Sequence, residues 1–241
     1  MKTILFFLLL SSAFANVIKK GPFELHTNYY DLNDFPATSY EYSKMMDVYI
    51  HIISSSHRFW GAKPADRELV YQIETMKEAF RQCGIETNIR AINLLVSGEY
   101  DDIDRNSQNS QFLGDDERTI FKHTMIPNKI NVYIIPGVNN PHSQTSSYAW
   151  TDNFMMYEKT EDRNYLGTTI ISHADLMNNN ASTQNYLMAH EVGHLVMNTS
   201  HVFEYGKLNL MNNYAEYMGV HLHKSQCQKA LSSRFVSSTR K

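Results

Sequence analysis

The sequence has no surplus of positive charge: 22 Lys and Arg stand against 25 Asp and Glu, a formal charge of −3 over 241 residues. That leaves no basic footprint for nucleic acid, and a nucleic-acid partner is not expected. Cysteine is nearly absent, with only Cys83 and Cys227 present, so one intramolecular bridge is the most the chain could form. Past the N-terminus no apolar run approaches the ~20 residues that span a bilayer. No internal repeat is visible. What is plentiful is apolar material, 42% of residues, enough for one substantial core.

The N-terminus has a composition of its own. Lys2 precedes an apolar run over residues 4–10, and Ser11, Ser12 and the Ala13-Phe14-Ala15 triplet follow. A charged start, a short apolar stretch and a small-x-small site describe a secretory signal peptide cut after Ala15. The expected organisation is therefore a signal peptide at 1–15, an N-terminal arm or pro-segment at 16–45, and one domain at 46–241. The expected location is secreted or periplasmic, with no membrane span once the signal is removed. An oxidising compartment permits a Cys83–Cys227 disulfide; the alternative is two thiols buried as small apolar groups.

Along the domain, residues 47–53 and 87–96 read as strands, rich in β-branched and aromatic side chains. Between them Leu69, Ile73, Met76 and Phe80 recur at helical spacing after Pro64 and Asp66, and Gly84 ends that helix. Residues 97–116 read as a polar, acidic surface loop. Residues 129–135 form an apolar strand closed by Pro136-Gly137, and 146–151 and 168–172 are candidate edge strands. Ser182 or Thr183 is placed to cap a helix carrying Tyr186, Leu187, His190, Glu191 and His194. The order of elements implies an α+β fold, a mixed twisted sheet with helices packed on it.

The strongest chemical signal is His190-Glu191-Val192-Gly193-His194. Residues four apart share one face of a helix, so both imidazoles can reach one zinc ion. Glu191, beside the first ligand, can act as a general base without being a ligand. A catalytic zinc needs a third protein ligand and an open position.

The run His190-Glu191-Val192-Gly193-His194-Leu195-Val196-Met197-Asn198-Thr199-Ser200-His201 resembles the metzincin clan of zinc peptidases. In that clan a glycine breaks the helix and a third histidine follows three residues later. Here Met197 stands where the clan has glycine, and His201 comes one residue late. Asn adopts the left-handed backbone more readily than other non-glycine residues, so a break at Asn198 restores the step and makes His201 the third ligand. Leu208-Asn209-Leu210-Met211 resembles the clan's methionine turn, an apolar floor under the ligands. Tyr214 stands one position away from the clan's occasional metal-side tyrosine. Residues 224–236 resemble the terminal helix of bacterial secreted metzincin-like proteins. The resemblance implies a zinc-dependent endopeptidase acting on protein or peptide substrates, with Ser147-Tyr148-Ala149-Trp150 as an edge strand that pairs with an extended peptide.

Two other readings remain open at this level. In one, Glu216, 22 residues after His194, replaces His201 as third ligand. In the other, the chain is an exported zinc-binding or peptide-binding protein with a vestigial site. The acidic pairs Asp101-Asp102 and Asp115-Asp116 read as solvated loop rather than as a calcium site. His51, His57, His123, His142, His173, His221 and His223 lack ligand spacing, although His221 and His223 could bind metal adventitiously. Neither cysteine falls within 16–45, so no thiolate from that arm could block a zinc; Asp31 or Asp34 could.

Overall fold

A computed structural model describes residues 17–27, 43–54, 63–97, 102–104, 115–135, 137–139, 149–151, 166–172, 186–203, 208–213 and 218–238. The expected signal peptide, Asp31, Asp34, Tyr214 and Glu216 lie outside these residues.

The elements are β1 (Val17–Lys20), β2 (Phe23–His26), β3 (Lys44–Ser54), α1 (Lys63–Arg81), β4 (Ile85–Val96), β5 (Asp102–Asp104), α2 (Asp115–Thr124), β6 (Ile130–Ile135), β7 (Gly137–Asn139), β8 (Ala149–Thr151), β9 (Thr168–Ser172), α3 (Leu187–Met197), α4 (Lys224–Leu231) and β10 (Val236–Ser238). The main sheet runs β1-β2-β4-β3-β6-β9-β8, with β10 also paired to β3; β5 and β7 form a small separate pair. β4, β3, β6 and β9 are parallel, whereas the flanking strands β2 and β8 are antiparallel to their neighbours. The fold is α+β with a mixed sheet.

Strand alternation assigns side chains to the two faces. Val48, Ile50 and Ile52 of β3 and Ile130, Val132 and Ile134 of β6 point to one core, where α1 and α3 pack. Ile53, Tyr133 and Ile135 point to the other, shared with Ile120 and Phe121 of α2. A parallel sheet covered on both faces reads as largely apolar runs, as 130–135 does apart from Asn131. Leu69, Ile73, Met76 and Phe80 of α1 are all fully buried, and Gly84 takes φ 71° just beyond the helix. That left-handed turn needs no Cβ, which is why glycine serves there.

Several expectations are corrected. β9 is interior, held between β6 and β8; of the two candidate edge strands only 149–151 lies at the rim. Within 97–116, β5 is a strand, and Asp115 opens α2 rather than ending a loop. The terminal helix stops at Leu231, and Val236 belongs to β10 against Met46. Part of the 16–45 arm is a hairpin that extends the sheet through β2 and β4, with Phe23 buried in the second core. No helix among the described residues is long and apolar enough to cross a membrane.

The second face holds a buried polar group. His51 is 1% exposed, with Nε2 3.2 Å from Asn131 Oδ1 and Nδ1 3.4 Å from Asn93 Nδ2. Its ring stacks on Tyr133, centroids 4.8 Å apart. Burial lowers its pKa from 6.5 to about 4, partly offset by Asn131. In the unfolded chain His51 takes up its proton near pH 6.5, whereas in the fold it resists to about 4. Stability from this group is thus complete above pH 6.5 and lost as pH falls to 4, by about 3 kcal/mol. Denaturant titrations at pH 7 and 4.5 should show that loss in the wild type and a smaller one in His51→Gln. Equal pH dependence in both would refute the assignment.

Candidate metal centre

The site is built on α3, whose eleven residues are all buried. The expected cap residues Ser182 and Thr183 lie outside the described residues; the N-cap position is Tyr186, with no side-chain cap bond. One orphan donor of the first turn is satisfied from α1 instead: the Met188 N–H donates to Gln72 Oε1 at 3.2 Å. The helix stops at Asn198, at φ 45° and ψ 53°. This is the left-handed conformation proposed for that residue, and it turns the chain back so that His201 faces the helix.

His190, His194 and His201 meet through their Nε2 atoms, 3.1 Å apart for His190–His194, 3.2 Å for His194–His201 and 3.1 Å for His190–His201. The opposite ring nitrogens fix the tautomers. His190 Nδ1 lies 2.6 Å from the Leu210 carbonyl and His194 Nδ1 2.7 Å from that of Thr199. A carbonyl oxygen only accepts, so each Nδ1 carries the proton and each Nε2 presents its lone pair. The lone pairs of His190 and His194, facing one another at 3.1 Å, repel and cannot hydrogen-bond to each other; a shared cation reconciles them. Tetrahedral nitrogens bound at 2.0–2.1 Å are separated by about 3.3–3.4 Å, close to the spacing found. The donor set therefore fits a zinc-sized divalent ion.

Electrostatics point the same way. Burial, then the neighbouring His194, lowers the His190 pKa to about 3, against the opposing pull of the Leu210 carbonyl. Burial and His194 lower that of His201 to about 4. Both rings are thus neutral near pH 7, the form that ligates metal. Among the described residues, these three form the one group of potential ligands with converging atoms. Glu191 is 7% exposed and sits about 100° around the helix from His190.

Met211 is fully buried and packs directly beneath Gly193. A Cβ added there would stand 2.5 Å from Met211 Sδ and 3.1 Å from Met197 Cε. The Gly193→Ala variant should therefore lose about 1–3 kcal/mol by overpacking, read as a lower denaturation midpoint. Met211→Ala introduced alongside should restore part of that loss.

The structure also places residues that the sequence did not single out. Leu210 contributes its carbonyl, which no side-chain motif announces. Asn209 and Gln226 hold the turn that carries it, through a reciprocal amide pair of 3.0 and 3.1 Å. Cys83 and Cys227 are joined, Cα–Cα 4.9 Å, linking the end of α1 to α4. β8 lies at the sheet rim, antiparallel to β9. His221 is exposed, and His223 takes part in the capping box at the start of α4.

No protein-family model and no curated protein matches the chain. Among solved structures it is similar to metalloproteinase-II from Bacteroides fragilis, with 11% identity and a TM-score of 0.47 over 80% of this chain and 54% of that one. This chain thus spans about half the length of that protein. It is similar to archaemetzincin from Methanopyrus kandleri, with 8% identity and a TM-score of 0.43 over 76% and 92% of the two chains. A zinc-dependent peptidase from Methanocorpusculum labreanum aligns with 9% identity and a TM-score of 0.38 over 76% and 99%.

Proposed function

We propose that the chain is an exported zinc-dependent endopeptidase of metzincin type, with His190, His194 and His201 as ligands and Glu191 as general base. The observation that carries this reading is the convergence of three Nε2 atoms, those of His190 and His194 presenting lone pairs, beside the helix that also bears Glu191. Zinc held by His190, His194 and His201 would supply Lewis acidity and make a nearby water more acidic. Glu191 takes the proton of the attacking water and delivers it to the departing amine nitrogen. The carbonyls of Leu210 and Thr199 keep the imidazoles oriented throughout. β8, the last strand of the sheet among the described residues, is the strand an extended peptide substrate would pair with. Export is supported by the signal-like residues 1–15 and by the Cys83–Cys227 bridge, which persists in oxidising compartments.

The test is digestion of a peptide library with and without a chelator, alongside zinc content of His201→Ala and Glu216→Ala. Cleavage should stop with the chelator and return with zinc. His201→Ala should lose the metal and Glu216→Ala retain it; the reverse pattern would transfer the third ligand to Glu216. A protein that holds zinc yet cleaves no peptide would be a binding protein.

A further inference from the structure

We propose that Asn209 and Gln226 are positioning residues that fix the tautomer and direction of His190 through the Leu210–Met211 peptide group. The consequence for metal binding rests on the function proposed above; the positioning itself does not.

The Leu210–Met211 peptide group is held at both ends. Its oxygen, the Leu210 carbonyl, accepts a hydrogen bond from His190 Nδ1 at 2.6 Å. Its nitrogen, the Met211 N–H, donates to Asn209 Oδ1 at 2.9 Å. A peptide held at both ends cannot rotate without breaking one bond, so the Asn209 side chain sets where the carbonyl points.

Asn209 is held in turn. Its Oδ1 also accepts from Gln226 Nε2 at 3.1 Å, and its Nδ2 donates to Gln226 Oε1 at 3.0 Å. Gln226 Oε1 further accepts the His223 N–H at 2.6 Å, the bond that opens α4. Asn209 is 1% exposed and Gln226 6%, so water cannot replace these bonds. The next residue, Cys227, is bridged to Cys83. Gln82 Nε2 donates to the Val220 carbonyl at 2.7 Å. The end of α1 therefore anchors the assembly at two points. The chain of contacts runs from a covalent bridge to the imidazole of His190 without a gap.

An alternative is that the amide pair only stabilises the fold. The two roles separate in metal-free, 15N-labelled protein, where long-range proton–nitrogen spectra report which ring nitrogen of His190 is protonated. Wild type should show the Nδ1–H form. Gln226→Met keeps the volume and removes all three hydrogen bonds, so it should show a mixture with Nε2–H. Its zinc Kd, from competition with a chromogenic chelator, should rise by roughly 10–100-fold. Gln226→Glu keeps both acceptor contacts and should fall between the two; it carries the test if Gln226→Met does not fold. Phe23→Ala, a destabilising change in the other core, should leave both readouts at wild-type values. An unchanged His190 tautomer in both Gln226 variants would overturn the proposal, as would equal shifts in Phe23→Ala. If the wild type binds no zinc, the metal reading fails while the tautomer readout still decides the positioning.

Discussion

Glu191→Gln is expected to lower peptide hydrolysis by about 10²–10⁴-fold, the range for losing a general base. Bound zinc should stay at the wild-type level. The amide is nearly isosteric with the carboxylate, so a side chain only 7% exposed is replaced with little change in packing. What disappears is an oxygen basic enough to take a proton from water. Glu191 is not among the three residues whose nitrogens converge, so the ion keeps its ligands. His190→Ala behaves in the opposite way, losing metal and turnover together. Turnover and zinc content measured on the same preparations distinguish the two, and a Gln variant that retains turnover removes Glu191 from the mechanism.

The second large effect concerns stability. Cys83 and Cys227 are 144 residues apart, and closing a loop of that length restricts the unfolded chain by about 5 kcal/mol in the chain-entropy model. Loss of the bridge should thus remove a large part of a net stability that is ordinarily only about 5–15 kcal/mol. The Cys83→Ser/Cys227→Ser double variant should show this in equilibrium denaturation. A loss below about 1 kcal/mol would mean that native contacts alone hold α4 against α1. The bridge also lies beside Gln226, so the double variant should bind zinc more weakly as well.

Legibility differed from element to element, for local reasons. α1 was plain because four apolar residues at helical spacing point to one core. β6 was plain because all six of its residues are buried. The β1–β2 hairpin carries only a weak signal, the alternation of Phe23 and Leu25 with polar residues after Gly21-Pro22. Strands of four residues become stable only once β4 pairs with β2. α2 was hidden by its acidic first turn within a polar stretch, and its burial depends on Tyr133 and Ile135 across the sheet. Nothing local in the tail reveals that Val236 has β3 as a partner, so its sequence alone reads as one helix.

The sequence by itself determined that His190 and His194 share a helix face. It also singled out Asn198 as the residue at which that helix could end. Both follow from the periodicity and backbone preferences of a few neighbouring residues. Only the tertiary structure decided that His201 closes the group, that Leu210 holds His190, and that Cys83 meets Cys227. Those contacts join points from 7 to 144 residues apart, and their closure depends on the path of the whole chain through one packed core.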